Sequence, residues 1–515
     1  MGGMLLSDVV ATSRAVASTR SRLAKRAEIA ALLRRTDPAV LEIVVTYLSG
    51  ELRQRRTGLG WASLRDMPTP ASEPTLSVEE VDAAFETMAG LSGPGSQTAR
   101  AETAHDLFAR ATADEQRFLA GLVSGDVRQG ALDSVVLDAV AEAADVPAAA
   151  VRRAAMLQGA SAPVAVAALA GGVEALTAVT LEPGRAVRPM LASSAPDVAA
   201  ALDKVGPALP ASVDTKLDGI RIQVHRVGDD VRVYTRSLDD ITERVPQIAD
   251  TVRGLAADPL VLDGEALIVE RDGRPAPFQD IASLGATHPR DTAPDLRSGD
   301  DVRVLSPVFF DVLHADGDDL LDRPLRERLD VLERIAPGLG VPRLHTADQD
   351  EAQEFFAEAV RSGYEGVVVK SLDAPYEAGR RGAAWVKVKP RHTLDLVVLA
   401  VEWGSGRRKG WLSNIHLGAR DPEGGFVMLG KTFKGMTDEM LAWQTERFTE
   451  LADGPTDRHV VPLRPEQVVE IAFDGVQRSP RYPGGVALRF ARVLRYRDDK
   501  TPDEADTIDA VRALG

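Results

Sequence analysis

The chain has 515 residues, a formal charge of −16 and no cysteine. It therefore forms no disulfide and no thiolate metal site, and a cysteine zinc finger is excluded. Its 44% hydrophobic and 27% charged residues are those of a soluble globular protein, and the length predicts about three domains. No apolar run approaches the roughly 18 residues that cross a bilayer. Met1 to Ser21 also lacks the basic-then-apolar layout of a secretory signal, so the expected compartment is the cytoplasm, with no membrane partner. The net acidity is unevenly spread. Residues 1–65 carry eleven Lys/Arg against five Asp/Glu, and residues 488–500 carry five against two. Local basic faces of this kind can hold phosphates whatever the global charge.

Residues 1 to about 180 read as helical. Leu23, Ile29, Leu32 and Leu33, then Val40, Ile43, Val44 and Leu48, recur at helical spacing. Ser77-Val-Glu-Glu80 is a capping-box start that follows a Pro/Ser-rich loop at 67–76, and Ser92-Gly-Pro-Gly-Ser breaks the next helices. Ser49-Gly-Glu-Leu-Arg-Gln54 is echoed by Ser124-Gly-Asp-Val-Arg-Gln129, each at the end of an apolar helix. Two readings stand: a pair of glycine-capped helix ends, or two equivalent turns that present backbone N–H groups with Arg53 and Arg128 to phosphates. The segment 182–212, rich in Pro, Ala and Ser, reads as an inter-domain linker ending in packed loop.

From Val213 the pattern changes to short alternating strands. Arg221 to Tyr234 reads as a hairpin around Gly228-Asp-Asp230. Strands are expected at 260–269, 304–312, 365–371 and 384–389, with helices at about 322–336 and 350–362. Beyond Pro390, strands at 394–403, 413–420, 425–433 and 467–473 suit a small antiparallel barrel of the OB type. A short helix is expected in 501–515.

Lys216-Leu-Asp-Gly219 sits where one strand ends and the next begins. A lysine fixed there can act as a nucleophile if desolvation or neighbouring positive charge lowers its pKa. In Trp385-Val-Lys-Val-Lys389 the side chains alternate, so Trp385, Lys387 and Lys389 share one face while Val386 and Val388 enter the core. Glu365-Gly-Val-Val-Val-Lys370 and Leu262-Asp-Gly-Glu-Ala-Leu267 are further apolar strands that export charge. Together they predict a pocket for a polyphosphate and a metal, with Glu265 and Glu365 as Mg²⁺ ligands, directly or through water.

These segments, in this order, resemble the ATP-dependent DNA ligases of the covalent nucleotidyltransferase superfamily. The matching series is Lys216-Leu-Asp-Gly, Asp263-Gly-Glu265, Phe309-Phe-Asp311, Glu365-Gly-Val-Val-Val-Lys370, Trp385-Val-Lys-Val-Lys389, and Arg489-Phe-Ala-Arg492 running into Asp498-Asp-Lys500. Val187-Arg-Pro-Met-Leu-Ala192 extends the likeness upstream. The resemblance implies three domains: an all-α DNA-binding domain over 1–185, an α/β (α+β) nucleotidyltransferase adenylation domain over 186–391, and an OB-fold β-barrel over 392–515, with a hinge near 390–395.

It also implies roles. Lys216 takes AMP from ATP as a phosphoramidate. Asp214 reads the adenine amino group, and Phe310 stacks on the base, with Phe309 as the fallback. Arg221 and Arg236 contact the ribose and the nick phosphate region. Glu265 binds the ribose hydroxyl or a metal, and Glu365 is a metal carboxylate. Lys387 and Lys389 hold the α-phosphate, and Arg381 lies near the nucleotide. Arg489, Arg492 and Lys500 orient pyrophosphate. The implied cofactors are ATP and Mg²⁺, with Mn²⁺ as a substitute. The implied partner is nicked duplex DNA, with a sliding clamp a further candidate and a monomer the expected state. Alanine- and arginine-rich, lysine-poor usage points to a GC-rich bacterial genome and an accessory repair role.

The chain departs from the family pattern at three places. Asp214 stands where glutamate is usual, Ala491 replaces a common proline, and the arginine often found after Pro277-Phe-Gln279 is missing. Among alternatives, an NAD-dependent ligase would carry a cysteine zinc finger. An RNA ligase or capping enzyme would not explain the helical region ahead of the core. A non-catalytic DNA-binding scaffold would not be expected to keep Lys216, Glu265, Glu365, Lys387 and Lys389 together.

Overall fold

The computed structural model describes residues 3–54, 57–130, 133–206, 210–268, 274–276, 281, 305–377 and 381–514. The chain separates into two compact units, Met1–Lys387 and Val388–Gly515.

In the first unit, apolar residues at helical spacing drive nine described α-helices between Leu6 and Thr177. Their shared core includes Leu6, Ile29, Leu33, Val44, Tyr47, Phe85 and Val136. Local chemistry sets the ends. Ser77 and Glu80 form the expected capping box at the start of helix Val78–Gly90, and Gly125, at φ 66°, closes helix Ala113–Ser124 in the left-handed region.

The segment 182–212 is more than a connector, which corrects the sequence reading. Leu191–Ser194 is a strand paired in parallel with Arg381–Val388. Val198–Val205 is a helix capped by the Asp197 side chain, which accepts from the Ala200 N–H at 2.8 Å. Four residues are short for a strand signal, and their partners, Arg381 to Lys387, lie far along the chain, so no local pattern announces the pairing.

Two five-stranded sheets follow. One has the order 191–194, 381–388, 366–371, 211–216, 343–346; the other runs 230–235, 220–227, 260–268, 305–315, 318–319. The hairpin expected around Gly228 is the pair Ile220–Val227 and Asp230–Thr235. Helices Pro246–Arg253 and Leu325–Ile335 pack on the second sheet through Ile248, Val252, Leu329 and Leu332. The Leu217-Asp-Gly219 turn passes from strand Ala211–Lys216 of one sheet to Ile220–Val227 of the other, so Lys216 stands where the two sheets meet.

The second unit is built on an antiparallel sheet in the order 426–432, 412–420, 392–403, 468–473, 492–496, with 460–462 also paired to 392–403. A separate hairpin joins Gly475–Arg478 to Val486–Arg489. Helix Asp438–Glu450 covers the sheet through Leu441 and Phe448, and the short helix Ile508–Arg512 adds Ile508 and Val511 to the same core.

Candidate active site

Lys216 pairs with Gly366 across the sheet, and the Glu365 N–H donates to the Lys216 carbonyl at 3.0 Å. This register brings the two side chains together, and the half-buried Lys216 ammonium is ion-paired with Glu365. The turn that follows is glycine-dependent. A Cβ on Gly219 would collide with the Ala266 carbonyl oxygen, while its N–H donates to Glu265 Oε1 at 3.1 Å. Gly264 is held equally close, 2.5 Å from the Val308 carbonyl oxygen to where its Cβ would stand. These approaches give the K-x-D-G and D-G-E motifs a physical reason: the strands meet too tightly there for a side chain.

Burial pushes the Glu265 carboxyl up to about 7, against the opposing pull of Lys216 and Arg221. Lys216, Glu265 and Glu365 thus form one mixed-charge cluster. Among the described residues no group of three or more acidic or histidine side chains could hold a metal ion. Two carboxylates suit Mg²⁺, which takes few protein ligands and completes its shell with phosphate and water oxygens.

Beside this cluster lies a layer of rings and cations. Arg221 grips Asp263 through two bonds, Nε to Oδ1 at 3.1 Å and Nη2 to Oδ2 at 2.7 Å, and donates to the Met190 carbonyl at 2.7 Å. The Tyr376 hydroxyl donates to Asp263 at 2.7 Å and accepts from the Met190 N–H at 2.9 Å. Phe310 and Tyr376 each meet Trp385 edge-on, at 5.8 and 5.9 Å. Lys370, almost wholly buried, places its Nζ 4.7 Å from the Phe310 ring and 4.3 Å from the Trp385 ring. The same Nζ pairs with Asp214 at 2.7 Å.

The expected site residues are therefore placed as follows. Phe310 is half-buried, whereas Phe309 is fully enclosed in the core, so Phe310 is the more accessible of the two rings. The buried Asp214 carboxyl is engaged by Lys370, by Arg343 at 3.6 Å and by Ser212 at 2.5 Å. Burial favours its neutral form, but Lys370 and Arg343 outweigh that and hold it below the usual carboxylate range. Its nearest charged partner is thus Lys370, a lysine of its own sheet. Arg236 is exposed on the turn after Asp230–Thr235. Lys387 is half-buried, with Val386 and Val388 in the core as the alternation requires. Arg381 opens its strand, but its side chain lies outside the described residues, as does the Pro277-Phe-Gln279 segment.

In the second unit, Lys389 and Arg492 share Asp474, each at 3.2 Å. Burial raises the Asp474 pKa, yet the two cations bring it below the ordinary value. Lys500 pairs with Asp395 at 2.5 Å. Sequence reasoning missed Tyr376 and Asp474 altogether, and it gave Lys370 no role.

The two echoed turns stand side by side. Gln129 donates to the Leu48 carbonyl, and Gly50 lies against Val127. Lys25, 8% exposed, donates to the carbonyls of Gln129 and Gly130 at 3.0 and 2.8 Å. Gly50, at φ 81°, matches Gly125 in the left-handed region, so the helix-cap reading holds for both. Arg53 is bound to Asp82 at 2.6 Å, while the Arg128 side chain is 73% exposed and pairs with Asp126 two residues away.

Comparison with known proteins agrees with this architecture. The family model described as ATP dependent DNA ligase domain matches residues 189–389, the ATP dependent DNA ligase C terminal region matches 408–500, and the DNA ligase N terminus matches 63–141. A probable DNA ligase of Beutenbergia cavernae is 68% identical, covering 99% of each chain. One from a Nocardioides species is 64% identical over 100% of this chain and 99% of its own. The solved structure named Pmar-Lig_PreS3 shares the fold, with a TM-score of 0.64 at 20% identity, covering 95% of this chain and 99% of that one. The chain belongs to the ATP-dependent DNA ligase family.

Proposed function

We propose that Lys216 is the nucleophile that takes AMP from ATP, and that the chain passes it to the 5′-phosphate of a nick before the 3′-hydroxyl displaces it. The observation that carries this is the Lys216–Glu365 ion pair at the junction of two sheets. The Glu365 carboxylate, in contact with the Lys216 ammonium, holds it in position, and the ammonium gives up its proton to solvent before it reacts. The freed amine attacks the α-phosphorus, a P–N bond forms, the P–O bond to pyrophosphate breaks, and the nitrogen's second proton is lost to the departing pyrophosphate or solvent. Lys387 neutralises charge on the α-phosphate, since phosphoryl transfer depends on positioning and charge neutralisation.

Phe310 stacks on adenine, and Asp214 with Lys370 forms the polar floor beside it. Arg221, fixed by Asp263, serves the ribose and the nick phosphate region, with Arg236 on the surface beyond. Glu265 and Glu365 would hold Mg²⁺, which supplies charge neutralisation to phosphate oxygens when bound. Lys389, Arg489, Arg492 and Lys500 carry phosphate-binding charge on the C-terminal unit, which we read as an OB fold. The helical region, residues 1–185, would hold nicked duplex through phosphate contacts, with Arg53 and Arg128 on its paired turns. A monomer acting in the cytoplasm in repair completes the reading.

Lys216→Ala tests it. Sealing of a nicked duplex and self-adenylylation should both vanish, while nicked-duplex affinity stays within about two-fold, since phosphate contacts carry the binding. Sealing from free ATP by that variant would refute the assignment.

A further inference from the structure

One arginine outside the candidate active site joins the helical region to the sheets that build the pocket. Arg188 lies in the segment 184–190, whose main chain is fastened to those sheets on either side of it. The Gly184 carbonyl accepts from the Tyr234 hydroxyl at 2.7 Å. Gln223 takes both polar atoms of Val187, accepting from its N–H at 2.8 Å and donating to its carbonyl at 3.2 Å. Beyond Arg188, the Met190 N–H donates to Tyr376 and the Met190 carbonyl accepts from Arg221. Arg188 itself turns the other way. Its N–H donates to the Met156 carbonyl at 2.9 Å. Its guanidinium donates from Nη1 to Asp133 at 2.5 Å, from Nη2 to the Ser161 hydroxyl at 2.9 Å and from Nε to the Gly159 carbonyl at 3.2 Å.

These partners are the ends of three helices. Asp133 opens Asp133–Ala144, Gly159 closes Ala148–Gln158, and Ser161 precedes Ala162–Thr177. Ser161 makes no side-chain cap for its own helix; its hydroxyl donates to Asp133 and accepts from Arg188 instead. Gly159, at φ 72°, lies so close to the segment that a Cβ would stand 2.8 Å from the Ala186 carbonyl oxygen. An exposed ion pair between long side chains fixes little, and Arg153 with Asp322, which also bridges the helical region and the sheets, is of that kind. The Arg188 side chain is only 20% exposed and is bonded through all three nitrogens. A planar fork engaged in this way holds one geometry, so the joint is stiff.

We propose that Arg188 is a positioning residue that keeps the helical region in register with the nucleotide pocket, so that duplex held by that region presents its nick to Lys216 and Arg221. The proposal rests on the nick-sealing reading. Formation of the lysyl-AMP needs only the pocket, whereas transfer of AMP to the 5′-phosphate and closure of the strand need the pocket and the duplex-holding region together. Loss of the fork therefore spares the first step and slows the later two, because a misplacement of about 1 Å can cost about 100-fold in rate.

The test uses the full chain, with Arg188→Met to remove the fork and Arg188→Lys to keep the charge without it. With pre-adenylylated protein and saturating nicked duplex, single-turnover sealing should slow at least about ten-fold in Arg188→Met and by less in Arg188→Lys. Self-adenylylation with ATP should match that of the unaltered chain in both. Because the sequence has no cysteine, spin labels can be placed selectively through Asp106→Cys and Glu354→Cys, at exposed positions on helices Ser96–Arg110 and Gln349–Arg361. The distance distribution between them should be narrow with Arg188 present and broaden in Arg188→Met. Unchanged sealing, an equal loss of adenylylation and sealing, or an unbroadened distribution would overturn the joint. An unaltered chain that forms no AMP adduct, while its Arg188→Met variant shows the broadening, would instead remove the ligase reading and leave the joint standing.

Discussion

The charges of the two units are held in different ways. Around Lys216 they are internal and mutually engaged: Arg221 with Asp263 and Tyr376, Lys370 with Asp214, and Arg328 with Asp311, the last pair at 0% exposure on both sides. In the second unit, Arg492 is 35% exposed, Lys434 is exposed, and Phe433 and Phe490 stand in solvent. A buried cation is tolerable only with its anion in place, so the first unit is assembled as an ion network before any nucleotide arrives. The second keeps pairs such as Arg497–Asp395 and Lys431–Glu402 inside, but at its exposed edge it offers charge and aromatic surface to whatever comes from outside. The first should therefore lose stability when a single partner is removed, whereas the second should lose affinity.

The largest expected effect is at Asp311. Its carboxylate takes two of the Arg328 bonds, Nε at 2.7 Å and Nη2 at 2.9 Å, while Nη1 is held by backbone carbonyls, so Asp311→Ala leaves a buried guanidinium without its counter-charge and should cost about 3–5 kcal/mol. Denaturant unfolding measures this directly. A cost comparable to that of an exposed surface substitution, about 0.5 kcal/mol or less, would break the contrast.

His225 sharpens it through pH. Burial holds its pKa down at about 3, and its ring accepts from the Gly184 N–H at 3.0 Å while its other nitrogen meets Gln223 at 2.8 Å. The unfolded histidine binds a proton below about 6.5, but the folded one does not until pH approaches 3. The stability it contributes is thus present above 6.5 and lost as pH falls, at about 1.4 kcal/mol per unit. Melting curves between pH 7 and pH 4.5 should show a shallower decline for His225→Gln; parallel declines would contradict the burial.

The smallest effects are on the paired turns. Arg53→Glu and Arg128→Glu should weaken nicked-duplex binding by about ten-fold together and lower its salt dependence, with adenylylation untouched. Arg128 should matter more, because Arg53 is already engaged by Asp82. Unchanged affinity would leave these turns as helix caps alone.

Much of this was legible in short runs of sequence. Lys216-Leu-Asp-Gly and Asp263-Gly-Glu265 can be read because Gly219 and Gly264 stand where the backbone admits no side chain, a constraint expressed within a few residues. Alternation placed Val386 and Val388 in the core for the same local reason. The rest depends on partners far apart in the chain. Tyr376 reaches Asp263 across 113 residues, and Lys370 finds its rings on two other strands; no spacing encodes either meeting. Strand Leu191–Ser194 escaped notice because a four-residue run has no measurable period and its partner lies close to the end of the first unit.

The central claim, that Lys216 carries AMP between ATP and DNA, is tested most directly by intact mass after incubation with ATP and Mg²⁺, and again after nicked duplex is added. One covalent AMP mapping to Lys216, gained with ATP and discharged on nicked DNA as a sealed strand appears, is the result expected. An adduct on another residue, or none with ATP, would contradict the account.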